Sequence, residues 1–281
     1  MKVYVFPGQG SQSIGMGKGL FDEYKDYIDR ADEILGYSTQ KLCLEDPQRV
    51  LSKTEFTQPS LYIVNALHYL KHTQEGAEKA DYLAGHSLGE YNALFAAGAF
   101  SFETGLQLVK KRGELMSKVS GGGMAAVLGV DYSEIKKILC SNALDAIDIA
   151  NYNSVTQTVL SGPVEELKKL EVILEDNDIM FIPLPVSAPF HSRYMKEVVN
   201  EYESFLNKFT FNTLKTPVIS NISARPYENN EIVYNLKEQL SSSVQWLETI
   251  RYLRSKGEFQ FKELGPGNVL EKLIKNIAIG K

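Results

Sequence analysis

Ser87 stands at the centre of Gly85-His86-Ser87-Leu88-Gly89, a G-x-S-x-G run. A short apolar stretch, Tyr82-Leu83-Ala84, precedes it, and a helix-forming stretch, residues 89–97, follows. Strand, serine and helix in that order make a nucleophile elbow. The serine occupies a tight, strained turn, and the flanking glycines let the strand and helix backbones approach each other. Its hydroxyl then projects at a helix N-terminus, where the dipole and free N–H groups stabilise developing negative charge. The chemistry implied is attack of the Ser87 hydroxyl on an acyl carbon. The alternative is a Gly-rich turn with an incidental serine; the strand before it and the helix after it weigh against that.

A serine nucleophile needs a base, and histidine exchanges a proton near neutrality. The chain has four histidines. His68 and His72 lie one turn apart on a predicted helix, but Tyr69 stands where H-E-x-x-H needs glutamate. They read as ordinary helix-surface residues, and no metal site is expected. His86, inside the elbow, points away from a base's position and is assigned to shaping the pocket. His191, in Ser187-Ala188-Pro189-Phe190-His191-Ser192, falls in a loop between a strand and a helix. It is the base by elimination, with a merely satisfied loop histidine as the alternative. An oxyanion hole needs two aimed N–H donors. The Leu88 amide, next after the nucleophile, is one. The glycine-bracketed loop Pro7-Gly8-Gln9-Gly10-Ser11-Gln12 could bring the other. That loop is no phosphate cradle: Ser13 breaks G-x-G-x-x-G, and Met16 stands where a P-loop needs lysine.

These residues need elements to hold them. Residues 3–6 read as a buried strand and 22–35 as a helix. Another helix opens near Gln58-Pro59, with Leu61, Val64, Leu67 and His68 on one face. The strand at 82–84, the elbow helix, and a helix at 102–116 with Ser101 as N-cap follow. This alternation predicts a parallel sheet with helices on both faces. Gly121-Gly122-Gly123 reads as a hinge. Beyond it come strand 124–130, helix 133–140, strands 147–151 and 156–161, helix 164–176 and strand 180–186. That is the βαββαβ, ferredoxin-like order. Helix 193–206, strand 217–220, helices 234–240 and 246–256 and strand 259–264 complete the chain. The expected architecture is α/β: a large subdomain, residues 1–123 and 188–281, with a small ferredoxin-like one, 124–187, inserted.

Composition sets the class. A chain of 281 residues, 43% hydrophobic and 23% charged, is an ordinary globular protein of one large or two smaller domains. A net charge of −5 and a pI near 5.5 argue against nucleic acid as a partner. Lys110-Lys111-Arg112 and Arg251-Tyr252-Leu253-Arg254 are the candidate basic patches, though such runs are more often solvated faces. Cys43 and Cys140 are far apart, which excludes a disulfide framework and fits a reducing compartment. The apolar run before Pro7 is too short for a signal peptide or a membrane span. A cytoplasmic monomer without membrane partners is expected.

Phe6-Pro7-Gly8-Gln9-Gly10-Ser11-Gln12, Gly85-His86-Ser87-Leu88-Gly89-Glu90, Lys111-Arg112-Gly113, Gly122-Gly123-Met124-Ala125-Ala126-Val127, Asn151-x-Asn153-Ser154, Phe190-His191-Ser192 and Leu264-Gly265-Pro266-Gly267-x-Val269-Leu270 occur in one order. Together they resemble malonyl-CoA:acyl-carrier-protein transacylases over essentially the whole chain. Within that family the chain looks most like the freestanding, trans-acting acyltransferases of polyketide synthases. The resemblance implies an α/β-hydrolase-like large subdomain and a ferredoxin-like small one. It implies Ser87 as acyl carrier, His191 as base, and Arg112 as clamp for the free malonyl carboxylate. A guanidinium suits that task because it grips carboxylate bidentately and stays charged. It further implies Gln9 and Leu88 as the oxyanion hole, and Gln58 as a pocket glutamine. Phe190 becomes the ring against the substrate's α-carbon, and Gln239 the residue whose backbone carbonyl orients the histidine. No acidic third member is then needed. The implied substrates are malonyl-CoA and the phosphopantetheine thiol of an acyl carrier protein, with no bound cofactor.

Three positions depart from the family pattern. Ser243 and Val155 stand where prolines are usual, and Pro189 replaces a small residue. Pro189 adjoins the expected pocket. Two rivals carry different activities: an acyl hydrolase editing carrier proteins, and a non-catalytic docking domain. A hydrolase of neutral acyl groups has no use for a buried Arg112, and a docking domain none for Ser87, His191 and Arg112 together.

Overall fold

Along the first strand, alternate residues meet different cores. Val3 and Val5 pack into one apolar cluster and Tyr4 and Phe6 into another, all four buried. A strand buried on both faces belongs inside a parallel sheet covered by helices on each side. The computed structural model describes residues 1–228 and 230–278; residues 229 and 279–281, part of the expected large subdomain, lie outside the described residues.

The chain runs β1 (Lys2–Phe6), α1 (Leu20–Glu23), α2 (Lys25–Leu35), α3 (Thr39–Glu45), α4 (Thr54–Gln74), β2 (Tyr82–Gly85), α5 (Gly89–Ala96) and α6 (Phe102–Lys118). Next come β3 (Gly122–Leu128), α7 (Tyr132–Ser141), β4 (Asp148–Ser154), β5 (Gln157–Pro163), α8 (Val164–Glu175) and β6 (Met180–Pro183). A short 3₁₀ turn then leads into α9 (Lys196–Leu206), β7 (Val218–Ile219), α10 (Ile232–Glu238), α11 (Trp246–Ser255), β8 (Gln260–Glu263) and α12 (Val269–Ala278).

Two separate sheets result. One is parallel throughout, in the order β7-β2-β1-β8. The other is antiparallel, in the order β4-β5-β3-β6. On the antiparallel sheet Val127, Ile149 and Leu160 pack with Leu139 of α7 and Leu170 of α8. Met124, Ala126 and Val159 face the other way, into the main core. The period-2 alternation of a strand thus gives this sheet one face for its own helices and one for the cavity described below.

Two expectations need correction. Pro59 does not open a helix: α4 begins at Thr54, and Pro59 lies inside it. Lys53 starts that helix by accepting the Phe56 and Thr57 amides, so the proline falls in the second turn. The glycine triplet is not a hinge. Gly121 has φ +82°, but Gly122 and Gly123 pair with Pro163 and Gly162 inside β3. Gly122 is required there because an added Cβ would lie 2.6 Å from the Pro189 ring. Helices α3 and α12, unforeseen, cover the main core and the β1–β8 side respectively. His68 and His72 lie on α4, both partly buried, with the His72 ring edge-on to Tyr4 at 5.0 Å. Among the described residues no helix is long and apolar enough to cross a membrane, and no cluster of side chains could hold a metal ion.

Candidate active site

The elbow forms because its glycines have no Cβ. A Cβ on Gly85 would lie 1.9 Å from the Gly89 carbonyl carbon, and one on Gly89 would lie 2.0 Å from the Phe6 oxygen. Between them Ser87 takes φ +52°, the left-handed region that costs a non-glycine residue about 1–3 kcal/mol. Asn221, just past β7, holds the turn from beneath. It accepts the Ser87 amide at 2.7 Å and donates to the Gly85 carbonyl at 2.6 Å.

His191 meets the serine. Its Nε2 lies 2.7 Å from Ser87 Oγ, and its Nδ1 lies 2.8 Å from the Gln239 carbonyl. A carbonyl only accepts, so Nδ1 carries the proton and Nε2 presents its lone pair to the hydroxyl. His191 too is left-handed, with φ +56°, and its amide donates to the Leu240 carbonyl. Burial, and then the Arg112 cation, push its pKa down to about 3, so the imidazole is neutral across the physiological range.

Arg112, on α6, is fully buried behind the serine. Its Nη2 donates to Ser87 Oγ at 3.1 Å and to Gln239 Oε1 at 2.8 Å, and the guanidinium lies over the Tyr91 ring. Its Nε and Nη1 have no acceptor among the described residues. The expected basic run thus divides: Lys110 bonds the Ile34 carbonyl, Lys111 pairs with Glu201, and only Arg112 turns inward.

The backbone N–H groups of Gln9 and Leu88 donate to no backbone or side-chain acceptor among the described residues. The two segments adjoin: a Cβ on Gly8 would lie 3.6 Å from the Leu88 nitrogen. The Gln9 side chain is turned aside to Thr54 Oγ1. A cavity of about 280 Å³ opens over this point. Its floor is the 8–12 loop and the elbow, its walls include Gln58, Met116, Phe190 and His191, and its roof is Met124, Ala126 and Val159 of the antiparallel sheet. Gln58 donates to the Met116 sulfur, leaving its buried Oε1 unpaired. His86 lines the cavity, bonds Asn153 Oδ1 at 2.8 Å and leans on the Trp246 ring. Pro189 packs on Gly122.

The structure therefore brings Ser87, His191, Gln9, Gln58, Phe190 and His86 to the lining of one cavity, with Leu88 beside the nucleophile and Arg112 and Gln239 buried behind it, bonded to Ser87 and His191. Sequence reasoning missed Asn221 and Glu90. Asn221 had one usable signal: it is a polar residue at the carboxyl end of a buried parallel strand, where such sheets build their sites.

A left-handed elbow serine paired with a carbonyl-held imidazole, on an α/β fold with a parallel sheet, defines the class: α/β proteins built for acyl chemistry on serine. The chain belongs to the acyl transferase domain family, whose model matches residues 3–276. It is 55% identical to the polyketide biosynthesis malonyl CoA-acyl carrier protein transacylase BaeC of Bacillus velezensis, over 99% of this chain and 96% of that one. It is 54% identical to the corresponding PksC of Bacillus subtilis, over 99% and 97%. The crystal structure of a malonyl CoA-acyl carrier protein transacylase from Burkholderia pseudomallei superposes with a TM-score of 0.97 at 43% identity, covering 100% of this chain and 99% of that one.

Proposed function

We propose that this chain moves malonyl groups from malonyl-CoA to the phosphopantetheine thiol of an acyl carrier protein, through a malonyl ester on Ser87, for polyketide or fatty-acid biosynthesis. His191 Nε2 takes the Ser87 proton as Oγ attacks the thioester carbon. The Gln9 and Leu88 amides hold the oxyanion. Collapse expels coenzyme A, whose sulfur takes the proton back from His191. The carrier thiol then gives its proton to His191 and attacks the ester, returning Ser87 to its hydroxyl form. These steps draw on protein groups and the two thiols alone.

The observation that carries the malonyl assignment is Arg112, a fully buried guanidinium beside the nucleophile with two of its nitrogens unpaired. A buried charge without its partner is costly, and a carboxylate is the group that satisfies it. Arg112→Ala should lower malonyl transfer by roughly 30- to 5,000-fold, the scale of truncating one member of a buried charge pair. Acetyl-CoA has no carboxylate to lose, so the ratio of malonyl to acetyl turnover should collapse. An unchanged ratio, measured with an acyl carrier protein as acceptor, would exclude the carboxylate clamp and favour the editing hydrolase.

Phe190 is buried and lines the cavity next to His191, where its ring would stand against a branch at the substrate's α-carbon. The native protein should prefer malonyl-CoA over methylmalonyl-CoA by tens-fold, since one methyl in a pocket is worth about 1–3 kcal/mol. Phe190→Ser should narrow that gap. Equal turnover of the two thioesters by the native protein would remove the ring as selector.

The finer architecture belongs to the same reading. The parallel-sheet unit, residues 1–121, 188–228 and 230–278, is α/β-hydrolase-like. Residues 122–187, from the start of β3, form a ferredoxin-like unit, supported by the βαββαβ order and the β4-β5-β3-β6 sheet.

A further inference from the structure

Glu90, on α5, lies one turn after Ser87 and is 1% exposed. Its Oε1 accepts the Asn221 amide at 2.9 Å and the Tyr227 hydroxyl at 2.7 Å. Its Oε2 accepts the side-chain amide of Gln239. The same Gln239 Nε2 donates to the Ser87 carbonyl at 2.9 Å, so the amide nitrogen faces two acceptors. Gln239 Oε1 is thereby turned to Arg112 Nη2. The flipped amide would set N–H against guanidinium and C=O against carboxylate, repulsive at both ends. Glu90 is therefore the charged acceptor that, with the Ser87 carbonyl and Arg112 itself, selects the amide's orientation. It also sets a negative charge near Arg112 without touching it, which leaves the guanidinium's Nε and Nη1 free.

We propose that Glu90 is a positioning residue for malonyl transfer: its carboxylate locks the Gln239 side chain and, through it, the aim of the Arg112 guanidinium at the substrate carboxylate. This rests on the malonyl-transfer reading above. Direct pairing of Glu90 with Arg112 would cancel the cation; pairing through an amide balances its charge and keeps its free edge for substrate.

Burial pushes the Glu90 carboxyl up to about 7, against the lowering effect of its three hydrogen bonds and of Arg112. The titratable groups facing this network are Arg112 from α6, Tyr91 on α5, Tyr202 from α9, Tyr227 beyond β7 and His191. Burial raises all three tyrosines and lowers His191 to about 3, so none of these changes charge near neutrality. Protonation of Glu90 as pH falls through about 7 removes its charge and should loosen the clamp. Below that pH the native malonyl-to-acetyl ratio should fall.

The experiment measures that ratio, with KM and kcat for each thioester, on native protein, Glu90→Gln and Arg112→Ala, at pH values on either side of 7. Glu90→Gln keeps the shape and removes the charge. Its ratio should drop about tenfold, the cost of one weakened charge-assisted bond, chiefly through KM for malonyl-CoA, and it should no longer vary with pH. Equal losses for both thioesters, or an unchanged ratio, would overturn the proposal while Arg112→Ala still upheld the parent reading. If Glu90→Gln fails to fold, the native pH series decides: a ratio that is flat through pH 7 overturns the proposal. A ratio indifferent to Arg112→Ala marks failure of the parent reading instead.

Discussion

Ser87→Ala should leave no malonyl adduct after incubation with malonyl-CoA, whereas the native chain should gain one malonyl group. Intact-mass measurement reads both results directly. The methyl group cannot attack, and the other groups lining the site are poor substitutes. His191 is held by the Gln239 carbonyl, and Arg112 is a cation that does not give up its proton. Transfer to the carrier thiol should fall by more than about 10⁴-fold, beyond what removal of the base alone costs. The fold should survive, because Asn221 grips the backbone amide and not the hydroxyl. An adduct persisting in the variant would place the nucleophile elsewhere.

His191→Ala should slow both half-reactions by on the order of 10²–10⁴, the usual share of a general base. One imidazole serves both steps, so acylation by malonyl-CoA and deacylation by the carrier thiol should suffer together. Loss of one alone would point to a second base. The pH profile carries a further sign. A free-protein pKa near 3 means that the imidazole is already neutral at pH 5, so its ionisation should not limit acylation between about pH 5 and 8. Arg112 is one cause of that depression, and a malonyl carboxylate seated against it offsets the cation. The substrate should thus make its own base stronger. Arg112→Ala should raise the His191 pKa, which a pH titration of the ring followed by NMR would register; a pKa that does not rise removes this coupling.

Much of the site was legible in the chain itself. The Gly85–Gly89 spacing and the apolar run before it are local facts, and the steric need for glycine at both ends follows from how close strand and helix must come. The alternation in β1 and the βαββαβ order are equally local, because a strand repeats every second residue and a helix every 3.6. His191 was reached by elimination among four histidines, which needs only a count. The glycine triplet misled because permissive backbone reads the same in a hinge as in a strand packed on a proline ring. Pro59 misled because a proline marks a first turn only when no earlier residue can start the helix.

Other features had no local signature. Arg112 shares a cationic run with two lysines that turn outward, and only the packing of α6 against the elbow buries it with two nitrogens unpaired. Glu90 and Asn221, 131 residues apart, meet beneath the nucleophile through the crossing of α5 with the end of β7. The sequence by itself determined which residues could do the chemistry and the elements that carry them, since those depend on side-chain type and short-range periodicity. Only the tertiary structure decided which charges are buried, which amide faces which acceptor and how the antiparallel sheet closes over the serine. Burial and hydrogen-bond partnership depend on long-range packing that no local pattern records.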